Sequence, residues 1–104
     1  MQVEVLGLDT IAVVVVGDSM WPTLRDGDTF QAVPYSNQAI NVGDVVVFND
    51  PTHTSRMCVK RVVYVKSEGL FVEGDNPDPN ASQDSHNFGL VKPDLLIGVI
   101  RQQR

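Results

Sequence analysis

The chain has 104 residues, with 13 acidic side chains against 8 basic ones and a formal charge of -5. That length supports one modest core, and no run of Lys or Arg offers the electrostatic footprint that binding to a phosphate backbone requires, so nucleic acid is not an expected partner. The lone cysteine, Cys58, cannot close an internal disulfide, and with two distant histidines it makes no zinc pattern. A cytoplasmic location and no metal or organic cofactor are therefore expected.

In chain order, the N-terminus carries no basic leader, sustained apolar region and small-residue cleavage site, and so reads as a mature end. The most hydrophobic stretch, residues 11–16, lies between Asp9 and Asp18, far short of the roughly 20 apolar residues of a membrane helix. Further short β-branched runs follow at residues 44–48, 57–65, 70–72 and 95–100, separated by turn-forming clusters such as Asp26-Gly27-Asp28, Val42-Gly43-Asp44 and Glu68-Gly69. The expectation is one mainly-β domain of about seven strands, with a helical turn at most after Met20 and another near Pro93. Residues 49–56 read as a loop joining two neighbouring strands, with His53 exposed, and residues 74–89 as a long polar loop.

Side chains alternate between the two faces of a strand, so Lys60 and Arg61, inside the apolar run Val59-Lys60-Arg61-Val62-Val63, cannot both face solvent on a half-buried sheet. A buried lysine can lose its proton whereas arginine cannot, which makes Lys60 the candidate base. Upstream, Gly17-Asp18-Ser19-Met20-Trp21-Pro22 ends a valine-rich strand in a turn that exposes Ser19. A serine hydroxyl becomes a nucleophile when a neutral amine within hydrogen-bond reach takes its proton. Read as residues alone, the plainer account leads, with Ser19 a turn residue and Lys60 a snorkelling surface lysine.

Four segments in succession resemble the boxes of type I signal peptidases, the S26 serine proteases. They are residues 17–24, Gly43-Asp44-Val45-Val46-Val47-Phe48, Val59-Lys60-Arg61-Val62, and Gly74-Asp75-Asn76 with residues 82–89. The resemblance implies the mainly-β fold shared by signal peptidases and LexA-like repressors, a dyad of Ser19 and Lys60, and the Ser19 backbone N–H as an oxyanion donor. It further implies that Ser82 orients the lysine amine and that Met20 and Trp21 border the substrate cleft. Cys58 should share the face of Lys60, while Asp75, Asp84 and Ser85 read as loop-stabilising groups.

Within the superfamily, Gly74-Asp75-Asn76-Pro77 is similar to the maturation proteases of nickel-type superoxide dismutase, which implies a precursor protein with an N-terminal prosegment as substrate. Three positions depart from the wider pattern. Gly17 stands where some signal peptidases have a hydroxyl donor, His86 stands at the usual arginine, and the loop at residues 78–81 is about two residues longer. The alternatives are a signal peptidase acting on secretory preproteins, and a self-cleaving LexA-like regulatory and dimerisation domain, disfavoured because no DNA-binding unit or cleavable linker is expected before Gly17. A Ser19–His86–Asp84 triad is a rival constellation, since triads are recognised by geometry and not by order.

Overall fold

The β-branched runs become strands in the computed structural model, which describes residues 10–100 in full and residues 2–6 as backbone. They are β1 (Gln2–Leu6), β2 (Thr10–Val14), β3 (Thr29–Pro34), β4 (Val45–Asp50), β5 (His53–Lys66), β6 (Gly69–Glu73) and β7 (Leu96–Ile100). All neighbours pair antiparallel, in the spatial order β1-β2-β3-β7-β4-β5-β6. The mainly-β expectation holds. Two strands lie outside the expected apolar runs. One is β1; the other is β3, which alternates half-buried Phe30 and buried Ala32 with exposed Thr29, Gln31 and Val33 and so carries too few apolar residues to stand out.

β4 lies between β7 and β5 and is covered on both sides, which is why Val45-Val46-Val47-Phe48 is an unbroken apolar run. Val46 and Phe48 pack with Cys58, Val62, Val72 and Phe88 on one side. Val45 and Val47 pack with Val13, Met20, Ala32 and Val59 on the other. The Phe48 and Phe88 rings meet edge to face at 5.9 Å, a favoured aromatic geometry.

The expected loop over residues 49–56 is instead a tight turn. Asp50, 2% exposed, pairs across it with His53, and its Oδ1 accepts hydrogen bonds from the Thr52 backbone N–H and hydroxyl, both at 2.8 Å. Satisfying the buried carboxylate closes the turn early, so β5 starts at His53 and runs for 14 residues. His53 is exposed, as expected. β6 pairs with β5 only from Arg61 onward. Before Arg61, therefore, β5 pairs with β4 on one edge, at His53 and again from Met57 after an irregularity in the register, and with no strand on the other among the described residues. That open edge is where the site forms.

Inside the segment read as a polar loop lies a single helical turn, α1 (Ser85–Phe88). Asp84 caps it in a reciprocal capping box with Asn87. The signal was present as Asp84 followed three residues later by an amide side chain, with Gly89 beyond the end. A 3-10 turn, Pro93–Leu95, falls near Pro93 as anticipated. No helix among the described residues is long and apolar enough to cross a membrane.

Candidate active site

A cleft of about 470 Å³ opens between the end of β2 and the open edge of β5. Ser19, Met20, Cys58, Lys60 and Ser82 all line it. These come from three separate parts of the chain. The cleft thus collects four of the five residues that the sequence pattern assigned to the site, Ser19, Lys60, Ser82 and Met20.

Ser19 sits in the turn that follows β2. Gly17, with φ of 91°, adopts the left-handed conformation that lets the chain reverse, and its N–H donates to Asp26 Oδ1 at 2.7 Å. The Trp21 N–H donates to the Asp18 carbonyl at 3.1 Å and the Leu24 N–H to the Met20 carbonyl at 2.9 Å. This winding sends Met20 into the core at 1% exposed, still in contact with the cleft, and turns Trp21 outward at 45% exposed. Trp21 follows the cleft-lining Met20 directly but is not itself among the residues that line the cleft.

Lys60 is 4% exposed. It pairs with Val46 across the β4–β5 ladder and shares its face of β5 with Cys58 and Val62. Burial pushes its amine below the ordinary lysine value and prevails over the opposing effect of Cys58; the positive charge of Arg56 adds to burial, and Asp84 and Asp50 oppose it more weakly. Burial also pushes the Cys58 thiol up, outweighing the attraction of Lys60 and Arg56, so Cys58 lies beside the lysine as an uncharged thiol. The Lys60 amine makes no hydrogen bond or ion pair with any described residue, Ser19 included. Catalytic hydrogen bonds of this kind commonly tighten when substrate binds.

The Gly74-Asp75-Asn76 segment ties the two halves of the site together. Asp75 accepts two hydrogen bonds from Arg61, Nε to Oδ1 at 2.8 Å and Nη2 to Oδ2 at 2.7 Å. Burial opposes ionisation of this carboxyl, but hydrogen bonds from Arg61 and Thr23 together with the Arg61 charge prevail and hold it below the usual carboxylate range. Asn76 donates from its backbone N–H to the Ser19 carbonyl at 3.0 Å and from Nδ2 to the Asp18 carbonyl at 2.8 Å. A Cβ on Gly74 would fall 2.5 Å from the Ser19 carbonyl oxygen and 2.6 Å from Ser82 Oγ. Only glycine lets the Ser82 loop and the Ser19 turn approach this closely.

His86 stands apart. Its side chain is 63% exposed, with Nδ1 2.9 Å from Asp84 Oδ1 and Nε2 3.8 Å from Glu73 Oε2, and it does not line the cleft. Ser19, His86 and Asp84 are not gathered into one site. Asp84 serves as the cap of α1, and the Ser85 hydroxyl accepts from the Val72 N–H at 2.9 Å. Gly74 and Asn76 were visible as part of a motif, but their contacts with Ser19 were not. Arg56 was not singled out at all, although its spacing from Cys58 and Lys60 on a strand put it on the same face.

A family model described as signal peptidase, peptidase S26, matches residues 5–68. Among curated proteins, no match was found.

Gly74→Ala should destabilise the protein by about 1–3 kcal/mol, as overpacking of a tight contact does, because one of the two colliding groups is backbone and cannot rotate away. Urea unfolding measures the loss. Amide chemical shifts should move most at Asp18, Ser19 and Asn76; unchanged stability and shifts would mean that the approach is looser than described.

Proposed function

The chain belongs to the signal peptidase S26 family and is a signal peptidase-like serine protease; on that premise we propose that Ser19 is its nucleophile and Lys60 its general base. The observation that carries this reading is the shared cleft, in which a half-buried serine and a desolvated lysine are the nucleophile and base the chemistry needs. Neutral Lys60 takes the Ser19 hydroxyl proton as Oγ attacks the scissile carbonyl carbon. The resulting oxyanion is stabilised by the Ser19 N–H, which donates to no other described residue, and such a donor contributes strongly in acyl transfer. Collapse of the intermediate breaks the C–N bond, and the lysine ammonium returns its proton to the leaving amine. Water, deprotonated by Lys60, then hydrolyses the ester and frees Ser19.

Ser82, which lines the same cleft and whose hydroxyl donates to the Gln83 carbonyl at 3.4 Å in the free protein, is assigned the orienting of the amine once substrate is bound. The substrate lies extended along the open edge of β5, gaining main-chain hydrogen bonds as an added strand. The reading extends to a cytoplasmic endopeptidase that removes an N-terminal prosegment, with a nickel superoxide dismutase precursor as the substrate indicated by Gly74-Asp75-Asn76-Pro77. Mixing the enzyme with that precursor and reading the new N-terminus by mass spectrometry tests the substrate. Cleavage of a detergent-solubilised secretory preprotein instead, with the precursor intact, would assign the enzyme to signal peptides; cleavage of the chain itself alone would assign it to the self-processing group.

Ser19→Ala and Lys60→Met should each abolish peptide cleavage, since the two groups act as a unit, while Ser82→Ala lowers it only in part. Lys60→Met should at the same time raise stability by about 0.5–2 kcal/mol near neutral pH, the usual trade at a strained catalytic position. The sign follows from linkage: a lysine whose folded pKa is depressed binds its proton more readily in the unfolded chain, so stability falls as pH drops through the window between the two values. Its advantage over wild type should therefore widen on acidification from the alkaline side. Thermal melts across pH measure this.

Cleavage by the wild type should rise with pH to an alkaline plateau, with its limb below the free lysine value of about 10.4. A limb that vanishes in His86→Ala would overturn Lys60 as the base.

A further inference from the structure

Cys58 and Lys60 share one face of the regular β5 ladder, which begins at Met57, and Arg56, just before it, brings its side chain to the Cys58 sulfur on that face. All three line the cleft. Arg56 is exposed and makes no ion pair with any described residue; its one side-chain partner is the Cys58 sulfur. A guanidinium carries five N–H donors in a planar fork suited to a carboxylate, so most of them remain uncommitted. The other charged groups lining the cleft are Asp18 and Lys60, and with Lys60 neutral in the working enzyme Arg56 is the cation left on the β5 wall.

We propose that Arg56 is a specificity-determining residue that docks an acidic side chain of the peptide substrate, a contact that rests on the proteolytic reading above. The open edge of β5 sets the geometry. A substrate strand paired along residues 57–60 and continued past Arg56 brings the residue about four positions from the one opposite Lys60 beside the guanidinium. Its diagonal neighbour, two residues from the reacting position, is also within reach of a side chain as long as arginine. The preferred substrate therefore carries Asp or Glu two or four residues from the scissile bond.

The test uses ten-residue peptide libraries in matched sets, with a single Glu, Gln or Lys at each position in turn. Cleavage by wild-type enzyme is read by mass spectrometry, and binding to the full-length Ser19→Ala protein by fluorescence anisotropy. Glu two or four residues from the cut should improve cleavage and binding by about two- to fivefold, the scale of a charge pair in a cleft open to water, and the gain should shrink as salt is raised. Arg56→Ala should erase the preference, and Arg56→Glu should transfer it to Lys-containing peptides while circular dichroism stays unchanged.

If Glu peptides bind in an Arg56-dependent way but are not cut, the docking inference stands and the proteolytic reading falls. If peptides are cut with no preference for Glu, or with one that survives Arg56→Ala, the docking inference falls and the proteolytic reading stands. Peptides that neither bind nor react would overturn both.

Discussion

The bidentate pair between Arg61 and Asp75 is the constraint on which the site depends. Arg61 follows Lys60 directly, and neighbouring strand residues point to opposite faces. Fixing the guanidinium on one face, with Nη1 also donating to the Gly43 carbonyl at 2.8 Å, commits Lys60 to the other. The same carboxylate receives a hydrogen bond from Thr23, in the turn that carries Ser19. One ion pair therefore registers β5 against the Ser19 turn. Its two side chains are 26% and 16% exposed, sheltered enough for paired charge-assisted hydrogen bonds to be both strong and geometrically selective.

Around that clamp the sheet supplies a dry environment on one side and an opening on the other. Val46, Phe48 and Val62 share the face of Lys60, and their apolar atoms provide no hydration for an ammonium, so burial lowers its proton affinity. Withholding solvent from a charge costs stability in any fold, and the chain limits that cost because the amine can simply shed its proton. The opening arises because β6 leaves β5 at Arg61. Beyond that point β5 keeps an unpaired edge, which invites an extended peptide and places it beside Lys60.

The segment from Gly74 to Asn76 links these features. Asp75 holds β5, Asn76 holds the carbonyls of Asp18 and Ser19, and Gly74 leaves room for Ser82 to approach the same turn. Three consecutive residues with different chemistries each make a different contact, which explains why the motif needs these residue types together. His86 and Asp84, at the far end of the same segment, stabilise α1 and its packing on β6 and do not line the cleft, which Asp84 influences only through its charge.

How much of this was legible in the sequence follows from the range of the forces involved. Strand alternation is a local property, so the paired charges at Lys60 and Arg61 already required one inward side chain, and the apolar run at residues 45–48 already marked a strand. The turn chemistry around Gly17 was equally local. What the sequence could not give were relations between distant segments. That Asp50 closes a tight turn and lengthens β5, that β6 stops pairing at Arg61, that Gly74 sits against Ser19, and that Trp21 rotates out of the cleft while Met20 rotates in are all outcomes of packing between strands far apart in the chain. Residue type and spacing determined which groups could do chemistry; only the tertiary contacts decided which of them share a cleft, because burial and proximity are properties of the assembled sheet and not of any one segment.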